Sequence, residues 1–188
     1  PAAPLLALRE AASFLNKKTL EFCVDMGIKQ MVYHPGYYDR DSFFSLNRAK
    51  DHAYQLLDEL IALAKPAGIT LGGPAATLFT QEEFIHALDG IDPCAQLLLD
   101  VGHANMNGWN IPEVIDRTAG RLCALHLHDN DGTCDAHLPM GQGNIDWNRT
   151  FASMRQLPDS CVFIMEYQTG TDLEKLAEGR DMPLAALG

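Results

Sequence analysis

Three hydrophobic segments in the second half of the chain each end in side chains that can bind a metal. The first leads into Asp100 and His103. The second delivers His126 and His128, and the third ends at Glu166. Imidazole nitrogens and carboxylate oxygens are ligands for Zn²⁺ and Mn²⁺. Because the carboxyl ends of neighbouring parallel strands lie at one edge of a sheet, the pattern predicts a divalent-metal site there.

Some of these motifs also have a purely structural explanation. Asp100 could cap the N-terminus of a helix, with the imidazole of His103 one turn beyond. Asp135 and His137 fit an Asx turn with an exposed histidine. Glu166 is harder to explain structurally, because a carboxylate after four apolar residues needs a cation or hydrogen-bond donors.

The histidine pair in the second segment indicates a ligand more strongly than either residue alone. Side chains alternate along a strand, so His126 and His128 face the same side. His34 also stands at the end of a short apolar run, and the same reasoning applies to it. Trp109 is a candidate wall of a substrate pocket, although core packing is the simpler interpretation.

Apolar strand-like runs alternate with helical patterns, which is typical of a parallel sheet with crossover helices. Predicted helices cover residues 5–26, 45–65, 80–88, 111–119, 146–157 and 172–177. Predicted strands cover residues 29–33, 69–71, 97–101, 122–128 and 162–166. Thr80 and Glu83 form a capping-box pattern. The long loop between residues 129 and 146 is rich in Gly, Asp and Asn, and such loops are usually functional.

Two α/β architectures fit these five βα units: an open doubly wound sheet and part of a barrel. Neither GxGxxG nor GxxxxGK[ST] follows a strand, so nucleotide-binding folds have no support. Four of the five predicted strands end in His, Asp or Glu. In an open doubly wound sheet, the functional residues would instead be concentrated at one switch point of the strand order. The observed distribution favours a barrel.

Composition narrows the function classes. The chain has 188 residues, of which 47% are hydrophobic and 21% charged, and this predicts one soluble domain over residues 1–188. The formal net charge of −11 disfavours a nucleic-acid partner. The five cysteines form no CxxC pair, which indicates a reduced, cytoplasmic setting. No apolar run approaches the roughly 18 residues of a membrane span.

Four motifs together carry a family resemblance. The runs DVGHAN (100–105), HLHDN (126–130), DAHLPMGQGNIDW (135–147) and IMEY (164–167) resemble the xylose isomerase-like TIM barrels. That superfamily contains sugar and sugar-phosphate isomerases and epimerases, and also endonuclease IV. The resemblance covers roughly residues 5–175 and implies a (β/α)8 barrel of which strands four to eight are present.

The resemblance implies two alternative ligand sets. In the isomerase and epimerase branch, one divalent metal is held by the positions that match Asp100, His126 and Glu166, and His103 contacts substrate. A further glutamate is expected on the strand at residues 69–72. In the endonuclease branch, a zinc cluster is held by the positions that match His34, Asp100, His103, His126, Asp135, His137 and Glu166. Mn²⁺ or Zn²⁺ is the expected ion, and Mg²⁺ or Co²⁺ would also suit these donors.

The sequence departs from the family pattern in two ways. Gly73 and Pro74 follow Gly72 where the family has Glu-Asn, so the glutamate is either lost or part of a short segment missing at this junction. A TIM barrel also takes about 250 residues, and the first three strands are lacking. We therefore expect a fragment with open sheet edges, which a homo-oligomer could cover.

These observations favour a metal-dependent isomerase or epimerase of a sugar or sugar phosphate, with Glu166 as both ligand and base. The run HLPMGQGNIDW (137–147) and the acidic net charge support the isomerase and epimerase branch. The alternative is an endonuclease IV-like, zinc-dependent phosphodiesterase acting on abasic DNA. A third hypothesis is a non-catalytic barrel fragment that retains the ligands without activity.

Overall fold

The structure is a computed structural model that describes residues 2–36, 45–73 and 78–188. Its helices and strands alternate as the sequence predicts. In chain order they are α1 (Leu6–Asp25), β1 (Gln30–Val32), α2 (Leu46–Ala67), β2 (Thr70–Gly72), α3 (Gln81–Ile85), β3 (Ala95–Asp100), α4 (Val101–Met106), α5 (Ile111–Thr118), β4 (Leu122–Leu127), α6 (Trp147–Met154), β5 (Val162–Met165) and α7 (Leu173–Leu187). A 3₁₀ turn, Ala119–Arg121, joins α5 to β4.

The described chain divides into two compact units. Unit 1 takes in Pro1–Phe79 and His86–Leu97. Its strand order is β1-β2-β3, with parallel pairing that places Met31 opposite Leu71 and Leu71 opposite Ala95. Helix α2 packs against α1 and β2 through a stripe spaced three and four residues apart: Ala49, Ala53, Leu56, Leu57, Leu60 and Ala64.

Unit 2 takes in Thr80–Ile85 and Leu98–Gly188. It contains every predicted ligand except His34, which follows β1 in unit 1. Its strand order is β3-β4-β5, and β4 runs parallel to β5 with His126 opposite Ile164. Every residue of β4 is buried. A strand buried on both faces is typical of a parallel sheet covered by helices.

The predicted elements are confirmed, although several of their boundaries differ. Helix α2 continues through Pro66 and ends at Gly68, whose left-handed φ of 67° lets its amide bond Lys65 O. Helix α3 ends at Ile85 rather than Leu88. Helix α7 extends to Leu187 instead of residue 177. Helix α4 was not predicted, because six residues carry too short a periodic pattern.

The capping box is present as predicted. The Thr80 amide donates to Glu83 Oε2 at 2.9 Å, and the Glu83 amide donates to Thr80 Oγ1 at 3.3 Å. None of the helices in the described ranges is long and apolar enough to cross a membrane.

Replacing Gly68 with alanine should destabilise the protein by about 1 kcal/mol, because a residue with a Cβ is strained at positive φ. Nothing lies within 4 Å of the added Cβ, so the cost is conformational rather than steric. Gly120→Ala is the matched control, since that site is equally open and has no positive φ. Urea unfolding measures both. Equal stabilities of the two variants would contradict the assignment of Gly68 as the helix terminator.

Candidate metal centre

The ends of β3, β4 and β5 bring three predicted ligands together in unit 2. Asp100 is the last residue of β3, His126 lies in β4, and Glu166 directly follows β5. His126 Nδ1 lies 3.1 Å from Glu166 Oε1 and 3.6 Å from Asp100 Oδ2. One potential ligand atom from each residue falls within 4.8 Å of the others. This spacing is compatible with one shared cation.

Asp100 caps helix α4 and also contacts other candidate ligands. Its Oδ1 accepts the His103 backbone amide at 2.8 Å, which caps α4. The same oxygen accepts from Nε2–H of His128 at 3.0 Å. Its Oδ2 faces His103 Nδ1 at 3.2 Å. The helix-cap explanation for Asp100 is therefore correct but incomplete.

A second group of ligand types lies on α4 and the loop after β4. Asp135 Oδ2 accepts from Nε2–H of His103 at 3.0 Å, and it lies 3.2 Å from His137 Nε2. A third group joins His128, His137 and Glu166. His137 and Glu166 each belong to two groups, so the three groups are continuous.

His137 is held in an unusual conformation. Its φ is 47°, and no other non-glycine residue in the described part of the chain has a positive φ. Its ring stacks on that of His128 with centroids 3.9 Å apart and planes 1° apart. Its Nδ1–H donates to the Glu166 carbonyl at 2.6 Å. Because a carbonyl can only accept, this bond leaves Nε2 as the lone-pair atom aimed at Asp135.

Several buried polar atoms at the centre are oriented for a cation. Within the described residues, Asp100 Oδ2, His103 Nδ1 and His128 Nδ1 make no hydrogen bond. His103 gives its Nε2 hydrogen to Asp135, so its Nδ1 lone pair faces the Asp100 carboxylate. Leaving a buried polar atom unsatisfied costs about 1–3 kcal/mol. A cation would offset both that cost and the repulsion between facing lone pairs, so the residues present fit a divalent metal.

The electrostatics of the centre favour a bound positive charge. Burial alone would raise the pKa of Asp100, but the neighbouring imidazoles of His126 and His128 hold it well below its usual range. The His126 imidazole, 3.1 Å away, likewise lowers the pKa of Glu166, against the effect of its burial. Burial would lower the pKa of His126, but Asp100 and Glu166 outweigh it and raise the pKa to about 9. The pKa of His137 is also raised, because the Glu166 carbonyl and Asp135 outweigh its burial.

Asp129 anchors the loop that carries Asp135 and His137. It is fully buried, and its Oδ2 accepts from Gly141 N at 2.8 Å and from Trp147 Nε1 at 2.7 Å. The backbone of Asp129 forms a two-way bridge with Leu138 through bonds of 2.8 and 2.9 Å. One carboxylate thus ties both the middle and the end of the loop to β4.

Two features of the site were missed from the sequence. The first is His128, for which the alternation along β4 was the available signal, because it places His128 on the same side of the strand as His126. Gly102 is needed because a Cβ there would overlap the His128 ring. Only the packing of α4 against β4 reveals that requirement.

Two other predicted site residues belong to none of these groups. The Trp109 ring is buried and packs against Phe84, with centroids 5.3 Å apart, which agrees with the core interpretation. His34 follows β1 in unit 1 and is in none of the three groups found among the described residues. A substrate contact for Trp109 and a ligand role for His34 stay predictions.

The position of the expected glutamate is described only in part. Strand β2 ends at Gly72, and the Gly73 amide donates to Gln96 O at 2.9 Å. Residues 74–77 lie outside the described residues. The absence of the glutamate from this junction therefore rests on the sequence alone.

Parallel βα units with carboxylates and imidazoles at successive strand ends are typical of α/β proteins of the barrel class. Residues 1–183 match the family described as xylose isomerase-like TIM barrel. The chain belongs to this family, so the predicted family and fold class are confirmed.

Similar proteins span a greater length than this chain. L-ribulose-5-phosphate 3-epimerase UlaE of Salmonella typhi is 24% identical over 92% of this chain and 61% of that protein. The uncharacterized protein MJ1311 of Methanocaldococcus jannaschii is 25% identical over 95% of this chain and 64% of that protein. The chain thus spans less than two thirds of the length of these curated relatives.

Solved structures share the fold. A D-tagatose 3-epimerase-like protein superimposes with a TM-score of 0.82 at 21% identity, covering 100% of this chain and 72% of that one. The IolI protein with a bound zinc atom gives a TM-score of 0.72 at 20% identity, covering 91% and 67%. At these identities the likeness concerns the fold alone.

Metal affinity should rise with pH between about 6.5 and 9. His126, with a raised pKa of about 9, carries a proton at neutral pH that must leave before its nitrogen can bind a metal. The apparent affinity for Zn²⁺ or Co²⁺ should gain up to about tenfold per pH unit until His126 is deprotonated. Calorimetry in two buffers of different ionisation enthalpy measures the released proton. His86→Ala is the control, since His86 is exposed and pairs with Asp89, and a pH-independent affinity would contradict the expectation.

Replacing Asp129 with asparagine should cost about 2 kcal/mol of stability. Both oxygens of the Asp129 carboxylate accept hydrogen bonds from N–H groups. In either orientation the NH₂ group of asparagine would therefore face a buried N–H donor, and an unsatisfied buried donor costs about 1–3 kcal/mol. The loss of stability is measured by urea unfolding, monitored through tryptophan fluorescence. Asp131→Asn, in the same loop but exposed, should change stability by less than about 0.5 kcal/mol. Equal effects of the two substitutions would rule out the anchoring role.

Proposed function

We propose that this chain forms the metal site of a divalent-metal-dependent isomerase or epimerase of a sugar or sugar phosphate. The observation that carries the proposal is the convergence of Asp100, His126 and Glu166 at three strand ends. The name of a relative, L-ribulose-5-phosphate 3-epimerase, supports the substrate class. A sugar is also compatible with the acidic charge of the chain, which disfavours a polyanion.

The first ligand group would hold the ion through one imidazole and two carboxylates. Mn²⁺ or Zn²⁺ suits this mixture best, and Mg²⁺ or Co²⁺ would also suit it. When bound, such an ion polarises a substrate carbonyl and so acidifies the neighbouring C–H. The zinc in the IolI structure supports the choice of a divalent ion by analogy with a protein of the same fold.

Glu166 is the proposed base. Its side chain is about one third exposed, so it borders both the buried ligands and the open side of the site. Its lowered pKa keeps it ionised at neutral pH, ready to take a proton from the carbon next to the carbonyl. His103, with 22% of its side chain exposed, would contact a substrate hydroxyl, and Trp109 is retained as a weaker candidate for substrate contact.

The endonuclease-like alternative has one specific observation in its favour. His103, Asp135 and His137 form a group of their own beside the first, as a zinc cluster would require. Metal analysis separates the two functions, since about one ion per chain favours the isomerase and two or three favour the phosphodiesterase. Cleavage of abasic DNA by the multiply loaded protein would establish the alternative.

Three broader predictions accompany the proposal. They are a single domain over residues 1–188, a cytoplasmic location and a homo-oligomeric assembly. The third hypothesis, a barrel fragment that binds metal without turnover, is the outcome if the loaded protein leaves every sugar and abasic substrate unchanged.

Glu166→Gln should lower turnover by about 10²–10⁴-fold, because the amide can neither take a proton nor supply a charged ligand. The measurement is deuterium uptake from D₂O into a panel of ketoses and ketose phosphates, followed by NMR in the presence of Mn²⁺ or Zn²⁺. Glu174→Gln is the control, since Glu174 lies exposed in the first turn of α7. Unchanged exchange in the Glu166 variant would refute the assigned base. Absence of exchange in the parent protein with every ion would refute the proposed function.

A further inference from the structure

Asn130 is a buried amide just after β4 that the proposed mechanism does not use. It is 0% exposed, and every polar atom of its side chain is engaged. Its Nδ2 donates to Gly102 O at 2.9 Å. Its Oδ1 accepts from Asn105 Nδ2 at 2.8 Å and from Gly132 N at 2.9 Å. One side chain therefore joins helix α4 to the beginning of the loop after β4.

Both segments joined by Asn130 carry a site residue. Gly102 precedes His103 on α4, and Gly132 lies three positions before Asp135. His103 Nε2 and Asp135 Oδ2 meet at 3.0 Å, although 32 positions separate them in the chain. The Asn130 bridge connects the two backbone segments that bear this contact.

The far end of the loop is tied to the same residue. The Asn130 carbonyl accepts from Asn144 N at 3.0 Å and from Asn105 Nδ2 at 3.3 Å. Asn105 Nδ2 also donates to Asn144 Oδ1 at 2.8 Å. The three asparagines form a closed amide network, and networks whose members are all satisfied hold one geometry.

We propose that Asn130 is a positioning residue that sets the placement of His103 against Asp135. An amide is required at this position because the side chain must donate to Gly102 O while accepting from two N–H groups. Aspartate has the same shape but would place a carboxylate oxygen against the Gly102 carbonyl. The inference rests on the proposed function only in treating His103 as part of the site.

Asn130→Asp tests the proposal in the metal-free protein. The ring nitrogen NMR signals of His103 should shift at a fixed pH, because α4 loses its bond to the loop. The signals of His126, which is held by β4, should stay in place. In the loaded enzyme, KM should rise by about tenfold, equivalent to one lost hydrogen bond of about 1.4 kcal/mol, with a smaller change in kcat. Uptake of an ion by the Asp100 group should be retained.

Asn16→Asp is the matched control. Asn16 also donates its side-chain amide to a carbonyl of its own helix, that of Ala12, at 2.8 Å. It lies in α1 of unit 1, which carries neither His103 nor Asp135, so its variant should leave the His103 ring signals and KM unchanged. If Asn130→Asp does not fold, Asn105→Ala removes one half of the bridge and should shift the same His103 signals by less.

The outcomes separate this inference from the proposed function. Unshifted His103 signals in both the Asn130 and the Asn105 variants would overturn the positioning role, whatever sugar the protein acts on. Equal shifts of His103 and His126 would indicate a general loosening and would also overturn it. A parent protein that exchanges no sugar proton, with variants that shift His103 alone, would refute the enzyme while supporting the role of Asn130.

Discussion

The structure of unit 2 depends on one buried carboxylate. Asp100 is 1% exposed, and burying an ion without partners would cost several kcal/mol. Its neighbours offset that cost by supplying the α4 amide and the imidazole of His128 to one oxygen. The other oxygen is left facing two further imidazole nitrogens. The end of β3, the start of α4 and the end of β4 are therefore held in one arrangement by the need to stabilise one negative charge.

The same constraint explains the opposite pKa shifts of the two buried partners. The pKa of Asp100 is lowered and that of His126 is raised to about 9, because each charged form stabilises the other. A proton on His126 therefore supplies positive charge at neutral pH in the protein alone. A divalent ion would replace that proton by a larger charge at nearly the same place, so metal and proton would compete for one position in the site.

The sequence predicted the strand ends because ligand type and burial pattern are local signals. Asp100, His126 and Glu166 each follow or interrupt an apolar run, and the parallel sheet then brings them together. The capping box at Thr80 was predictable for the same reason. The stack of His128 on His137 was not, because it depends on a positive φ and on contact between a strand end and a loop. The roles of Gly102 and Asn130 were also hidden, since both arise from the approach of α4 to β4, and α4 itself is too short to show helical periodicity.

The sharing of ligands between groups constrains which chemistry the site can perform. Glu166 belongs both to the group with Asp100 and to the middle group with His128. His137 belongs both to that middle group and to the group with Asp135. A single imidazole nitrogen binds one ion, so His137 must be assigned to one side or the other, whereas a carboxylate such as Glu166 has two oxygens and can serve two ions. Because the Nδ1 hydrogen of His137 is committed to the Glu166 carbonyl, only its Nε2 remains for a metal. When an ion binds the group that contains Asp135, the middle group therefore loses His137 as a ligand. The Asp100 group shares only a carboxylate with the others, so it alone can be completed without withdrawing a histidine from another group, and this makes it the first site that an ion should occupy.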